Sequence, residues 1–411
     1  MIMRKRIYEL PNRFSIGKFF CLSALLLIAG CWATPAQSDT RRERQYQIVD
    51  LSSLGGTSSR GNSINDRGWV AGFSNLSATV RHAALWRNNS TTPIDLGTLG
   101  SPQRNSNVTW SVKNNNGSIV GISQTDTPMP LGENWSCVAF FPPATATGYT
   151  CLGFVWEDGA MRPLNPLPGG FNSFATGANN RREVVGWAEN GIHDPTCVDN
   201  NQVLQFRPVV WQARSGAISE LPTPPGDSSG AATAINNRGQ IVGITGDCDQ
   251  AIGRRTARHA VLWDRGTITG LGNLGAEYWN TPTNINHRGD VVGFAGTPGD
   301  VEGNILQAFI WTRSEGMKRL PPLSRTGHVH AEAYGINERR QVVGISCDAD
   351  SVDCRAVIWE DGVAKDLNDL KNPSFTARLE QAKDINERGE ITGRSFNPTT
   401  GERRAFLAIP G

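Results

Sequence analysis

The sequence predicts an all-β, seven-bladed β-propeller of four-stranded blades, closed by the N-terminal strand joining the last blade. Three observations predict it. A ten-residue phrase, INNRGQIVGI in its cleanest copy at Ile235–Ile244, recurs seven times, and two further phrases keep step with it. Each unit reads as four short strands between turns, at a period of roughly fifty residues. A spare copy of the unit's last strand stands at the front of the chain, and the end of the chain lacks one.

The repeat is justified phrase by phrase. The lead asparagine falls at Asn65, Asn114, Asn179, Asn236, Asn286, Asn337 and Asn386, at intervals of 49, 65, 57, 50, 51 and 49 by subtraction. Asparagine, two polar residues and then glycine match a hairpin corner whose last residue is left-handed. The asparagine side chain can bond the turn backbone, and glycine takes positive φ without steric cost. Arg182 and Arg340 replace that glycine in two copies, so those two corners are expected to relax into a different turn. A second glycine is present in every copy: Gly72, Gly121, Gly186, Gly243, Gly293, Gly344 and Gly393. Glycine inside a strand marks close approach of a backbone or ring. Here the expected neighbour is the repeat tryptophan.

That tryptophan ends the third strand at Trp86, Trp156, Trp211, Trp263, Trp311 and Trp359, and the last copy, RAFLA, loses it. The fourth strand ends in leucine at Leu96, Leu164, Leu221, Leu271, Leu320 and Leu367. A seventh leucine phrase, YQIVDLSSLGG, stands at Tyr46–Gly56, before the first unit. It fits the empty outer slot of the last blade and removes the edge that a linear array would expose. The competing architectures are an open solenoid and a ring of six or eight blades.

Residues 1–30 read as a signal peptide of lipoprotein type. Arg4, Lys5, Arg6, Arg13 and Lys18 precede the apolar run CLSALLLIAG, which is too short for a permanent span. Ile28-Ala29-Gly30-Cys31 resembles a lipobox, which makes Cys31 the candidate lipidation site. The alternatives are an ordinary signal peptide with a chance cysteine, or an uncleaved anchor. Residues 31–44 form a polar tether, and residues 45–411 the propeller. The expected location is the bacterial envelope, lipid-anchored, or otherwise periplasmic or extracellular. Six further cysteines, an even number in an exported chain, read as disulfides. Cys137 with Cys151 and Cys347 with Cys354 are close enough for local staples, leaving Cys197 and Cys248 by elimination. None shows the paired spacing of a zinc site.

Together the HAALW phrase at His82–Trp86, the INxxGxVVG phrase and DLGTLG at Asp95–Gly100 resemble the HAF-repeat family of bacterial extracellular proteins. The resemblance covers residues 46–411 and implies a secreted repeat protein. It implies no assigned activity, and no catalytic residue carries over. Gly153, Arg207 and Arg355 depart from the family's pattern near its usual histidine, as does the missing last tryptophan.

The repeated residue types are those of turns and cores, so a site is expected in what differs between blades. The differences gather between second and third strands, at 124–150, 190–206, 246–258, 297–306 and 347–354. An up-and-down blade sends all these connections to one face, where binding loops on a rigid scaffold usually lie. Trp135, Phe140, Phe141 and Tyr149 are the candidate binding residues for a glycan or protein partner; the alternative is that they bury themselves as a satellite cluster. His328 and His330 share one side of a strand and are weak metal candidates without an identifiable third ligand. Asp348, Asp350 and Asp353 lack the glycine and distal glutamate of a calcium loop. No GxSxG elbow, HExxH, phosphate loop or dinucleotide fingerprint occurs, and no cofactor is expected. Net charge is +2, with arginines and acids interspersed, which gives no basic stripe for nucleic acid.

The reading is an exported, monomeric envelope protein that acts as a binding or scaffolding module without catalysis of its own. The alternatives are a carbohydrate-active hydrolase or lyase using the insertion-bearing face, and a purely structural envelope protein. Membrane association is expected through the lipid alone. Mass spectrometry of the membrane fraction should find the lipid adduct on Cys31; an unmodified Cys31 removes the anchor.

Overall fold

The computed structural model describes residues 44–411 apart from 88–89, 113, 199–200, 250–254 and 301–302. The leader over 1–30, the tether as far as residue 43 and the lipidation candidate Cys31 lie outside the described residues.

Seven four-stranded antiparallel sheets are formed by the described residues, and together they make a seven-bladed propeller. The first blade holds Ser59–Ile64, Val70–Asn75, Arg81–Trp86 and Ile94–Asp95, in spatial as in chain order. The last holds Arg378–Ile385, Ile391–Phe396 and Arg403–Pro410, with Tyr46–Leu51 as its outer strand. That outer strand pairs continuously from Tyr46↔Pro410 to Leu51↔Ala405. The ring is therefore closed by the two ends of the described chain. In a meander of this kind the first-to-second corners open on one end of the channel, the corner end. Second-to-third and fourth-to-first connections open on the other, the loop end.

Among the described residues the corner asparagine does two jobs in the third to seventh blades. In the Asn236 corner, its Oδ1 accepts the backbone N–H groups of Arg238 and Gln240, which closes the turn. Its Nδ2 donates to the carbonyl of Asn286 in the next blade at 2.9 Å. The same handshake runs from Asn179 to Asn236, Asn286 to Asn337, Asn337 to Asn386, and Asn386 on to Asn65 across the seam. A second ring sits beside it: Asp66, Asn115, Asn180, His287, Glu338 and Glu387 each donate their backbone N–H to the matching side chain of the following blade. Arg182 and Arg340 do not relax the corner as expected. Both adopt the left-handed conformation, at φ 62° and 58°, and keep the turn's bond to Asn179 and Asn337. Their side chains are held by Glu157 and by Asp290, contacts that offset the roughly 1 kcal/mol of backbone strain.

The second glycine also has a different neighbour from the one expected. In six of the blades the inner strand carries a β-bulge opposite it. The bulge turns a carbonyl toward the glycine, so that a Cβ at Gly72, Gly186, Gly344 or Gly393 would overlap the oxygen of Arg60, Phe174, Glu332 or Gln381. The tryptophan ring is a secondary neighbour, at Gly243 and Gly344. The tryptophans mainly stitch blades together. Nε1 of Trp86, Trp211, Trp263 and Trp359 donates to the carbonyl of Ser52, Asn165, Pro222 and Pro321, the residue after the leucine phrase of the preceding blade. Between blades the apolar faces merge, as where Leu85 of the first blade, Phe154 of the second and Val184 of the third are wholly buried in one cluster.

Gly393→Ala should destabilise the fold by on the order of 3 kcal/mol, because the bulge carbonyl has nowhere to go. Gly270→Ala, whose Cβ would meet nothing within 4 Å, should stay within about 0.5 kcal/mol of wild type. Chemical denaturation reads both, and equal midpoints would remove the bulge explanation.

Candidate functional site

The long insertion of the second blade does not form an exposed aromatic rim. Phe141 is 4 % exposed, and the Phe140 ring lies 4.7 Å from Phe174 on the inner strand of the third blade. Tyr149 is covered by the Arg104 guanidinium, 3.3 Å from its ring centroid. The Trp135 side chain lies outside the described residues. Burial of these rings removes apolar surface from water, and the Cys137–Cys151 disulfide draws the insertion back onto its own third strand. The result is the satellite cluster, continued by Phe174, Trp187 and Phe206. The Phe140 carbonyl accepts bonds from Arg81 Nη1 and Asn107 Nδ2, which fixes the insertion as a wall beside the channel.

The other two disulfides form as the spacing suggested. Cys347–Cys354 joins directly paired positions, and Cys197–Cys248 ties the loops of the third and fourth blades. Asp194 lies beside the latter pair, but disulfide sulfurs are not thiolate ligands. His328 and His330 do not share a ligand. A bulge at Val329 breaks the alternation, so His328 bonds Ser346 Oγ while His330 bonds Glu332. Asp348 accepts the N–H groups of Val352 and Asp353, and Asp353 pairs with Arg355.

The polar cluster that does converge was missed, because the loops drew attention and the inner strands did not. Five and three positions before the corner asparagine stand Phe174 and Thr176, Ala231 and Thr233, and Thr281 and Thr283 in the third, fourth and fifth blades. The same positions hold Glu332 and Tyr334, Gln381 and Lys383, and Arg60 and Asn62 in the sixth, seventh and first. Thr176 and Thr283 are stitches that donate to Ala232 and Ala333 of the next blade, and Asn62 Nδ2 likewise donates to the Val108 carbonyl, while Thr233 bonds Val242 of its own blade. In the sixth and seventh blades the bulged residues are Tyr334 and Lys383 instead. A third column, the residue after the second glycine, reads Phe73, Ile122, Trp187, Ile244, Phe294, Ile345 and then Arg394. Aligning these columns would have exposed the asymmetry.

In space the departures meet at the loop end of the channel. Glu332 accepts His330 Nε2–H at 2.8 Å and the Tyr334 hydroxyl at 2.7 Å. His330 Nδ1 lies 3.2 Å from the Leu306 N–H and 3.3 Å from the Asn304 carbonyl. Lys383 Nζ lies 3.2 Å from the Tyr334 ring centroid. Arg60 spans from the first blade to Gln381 Oε1 of the seventh and bonds Asn62 Oδ1. Arg60 and Arg81 both lie over the Phe73 ring, at 5.2 and 3.9 Å. Arg394 reaches Glu380 at 3.4 Å.

The charges are poorly compensated. Burial and then Arg394 press the Arg60 guanidinium down to about 9. Burial and Arg394 press Arg81 to about 10, and both remain cationic at neutral pH. Burial, followed by Arg60, holds the Lys383 ammonium well below its ordinary range, against the pull of Glu332. Burial would raise Glu332, yet its bonds to His330 and Tyr334 keep it below the usual carboxylate range, hence ionised. Burial and the Glu332 charge push the Tyr334 phenol well up, so it stays a donor. The corner end offers a contrast. Its cavity of about 250 Å³ is lined by Asp66, Asn115, Asn237, His287, Glu338 and Glu387, side chains already joined in the closing ring.

No family model and no curated protein matches the chain. Solved structures similar to it include the β-propeller domain of the Trilobed protease from Pyrococcus furiosus, at 11% identity and TM-score 0.46, with 89% of this chain and 97% of that one covered. Another is oligogalacturonate lyase from Vibrio parahaemolyticus, at 9% identity and TM-score 0.47, covering 90% and 94%. A third is TolB from Acinetobacter baumannii, at 10% identity and TM-score 0.42, covering 84% of this chain and 63% of that one. Such distant likenesses carry nothing about the chemistry of this channel.

One buried carboxyl pair tunes the insertion wall. Glu133 Oε1 accepts the N–H groups of Val203 and Leu204, at 2.8 and 2.6 Å. Glu189 accepts from Phe171, Asn172 and Gln202. Glu133 Oε2 and Gln202 Oε1 are buried acceptors without a partner among the described residues. Burial and the Glu189 charge push Glu133 up to about 7 from 4.5. The folded state thus binds the Glu133 proton more tightly than the unfolded chain. Its stabilisation is complete below the unfolded value and fades as pH rises through about 7. Amide exchange across 129–146, corrected for intrinsic rates, should be slower at pH 5.5 than at pH 8. Glu133→Gln should flatten that difference; an unchanged pH dependence in this variant would show that the pair is not responsible.

Proposed function

We propose that this propeller is a ligand-binding module of the cell envelope whose site is the loop end of its central channel, between the fifth and first blades. One observation carries the reading: the inner strands of the sixth, seventh and first blades carry Glu332 and Tyr334, Gln381 and Lys383, and Arg60, and these long polar side chains converge on one wall. Repeat symmetry is broken there at a cost in like-charge repulsion, and a site is the physical reason to retain such a cost. The three disulfides accord with an oxidising, exported location.

Binding fits the geometry better than acid–base catalysis. Both oxygens of Glu332 are engaged, by His330 and Tyr334. Both nitrogens of His330 are engaged too, by Glu332 and by Leu306 N–H. These groups brace one another and leave no free proton-transfer atom among them. A carbohydrate-active enzyme would need that atom within reach of substrate.

A glycan array probed with the full chain should return a ligand whose capture is lost in Lys383→Glu and kept in His287→Ala at the corner end. Mass spectrometry should recover the ligand unaltered. Capture that survives Lys383→Glu would place the site elsewhere, and cleaved ligand would replace the binding reading by the enzyme one.

A further inference from the structure

Four basic side chains crowd one side of the loop-end channel: Arg60 and Arg81 from the first blade, Lys383 and Arg394 from the seventh. Among the described residues, Arg394 alone of the four has a carboxylate within 4 Å, and it shares Glu380 with Arg378 and Arg403. The bonds of Arg60 go to the amide oxygens of Asn62 and Gln381. Those of Arg81 go to Asn75 Oδ1 and the Phe140 carbonyl. Neutral acceptors hold these guanidiniums in place without neutralising them. Planar, donor-rich and stacked on Phe73, they are pre-organised for a carboxylate or a similar anion.

Across the channel from the first blade stands an aromatic run. Trp279, in the connection entering the fifth blade, lies 6.4 Å from Phe294, which lies 6.5 Å from Tyr334. Trp279 holds a left-handed backbone at φ 57°, a conformation that costs a non-glycine residue about 1 kcal/mol or more. Its indole Nε1 is buried with no hydrogen-bond partner among the described residues. Strain and an unserved donor on one residue are doubly unfavourable in the free protein. The ring itself is only partly buried, and its open part can take the flat apolar face of a ligand.

We infer that the loop-end channel binds an acidic oligosaccharide, its uronic-acid carboxylates held by Arg60, Arg81 and Lys383 and a sugar ring set against Trp279. The inference rests on the channel being the binding site. A sugar supplies carboxylate, hydroxyl and apolar ring face together, whereas an acidic peptide supplies the charge without the ring. Duplex nucleic acid needs an exposed basic stripe, and these basic side chains are largely buried instead.

Isothermal titration of the full chain should use a hexamer of mannuronic acid, neutral cellohexaose and a poly-glutamate peptide of equal charge as probes. The mannuronate should bind, more weakly as salt is raised, and cellohexaose should not. Arg60→Gln with Arg81→Gln should weaken mannuronate binding at least tenfold. Trp279→Ala should weaken mannuronate about fivefold and leave poly-glutamate unchanged. Thermal melts check that the variants fold; if the double variant does not, Lys383→Gln alone should weaken mannuronate at least fivefold. Cellohexaose binding as tightly as mannuronate, with loss in the same variants, overturns the acidic-sugar inference while the channel remains a binding site. Poly-glutamate binding as tightly as mannuronate, both indifferent to Trp279→Ala, overturns the sugar and leaves the anion. Mannuronate binding untouched by the arginine and lysine variants overturns the inference and the channel reading together.

Discussion

The bond on which this molecule depends is the one from a corner asparagine to the carbonyl of the next corner. Its amide oxygen closes the turn of its own blade while its amide nitrogen fixes the distance to the neighbour. A single net bond of this kind contributes only about 1 kcal/mol. The bond repeats from the third blade through the seventh and across the seam to the first, so these blades are positioned in series. The second ring of backbone N–H donors works in the same sense. The tryptophan Nε1 bonds add a third set of ties at the outer edge of the blades. A channel of fixed width follows, and its lining residues meet at fixed separations.

The bulge of the inner strand decides what those lining residues can do. In a regular strand the residue three before the asparagine would alternate with its neighbours. The bulge opposite the second glycine sets it apart, and the glycine exists to leave room for the displaced carbonyl. Where that residue is threonine, its hydroxyl is spent on backbone, of the next blade at Thr176 and Thr283 and of its own blade at Thr233. Where it is Tyr334 or Lys383, the same geometry presents a long polar side chain to the channel. One scaffold feature thus serves cohesion in some blades and recognition in others.

Much of this architecture was legible in the sequence, because turns and strands are written in local residue types. The Asn–Gly corner, the seven units and the displaced leucine strand are local signals, and the closing pairs from Tyr46 to Leu51 follow from counting strands. What was not legible depended on contacts between distant residues. Nothing local tells Arg182 and Arg340 that Glu157 and Asp290 wait to hold them in a glycine's conformation. Phe140 and Phe141 read as an exposed rim because their insertion is polar around them, whereas the disulfide and Phe174 draw them in. The channel cluster was half visible. Its residues break the repeat at Glu332, Gln381 and Arg60, but only the closed ring brings the first blade beside the seventh.

That last point links stability to recognition. The seventh blade is assembled from both ends of the described chain, and the cluster straddles that seam, with Arg60 on one side and Gln381, Lys383 and Arg394 on the other. The site therefore exists only once Tyr46–Leu51 has paired with Arg403–Pro410. The crowded cations push against that closure, since Arg60 and Arg394 repel across it. An anion seated between them would reverse the sign of that term, turning repulsion at the seam into attraction on both sides. Any ligand of the closed ring stabilises it by mass action, about 2.7 kcal/mol at a hundred times the dissociation constant. The ring is thus held by neutral amide bonds at the corner end, where no ligand is needed. The loop end is left electrostatically unsatisfied, and that is the condition under which a binding partner changes the molecule that receives it.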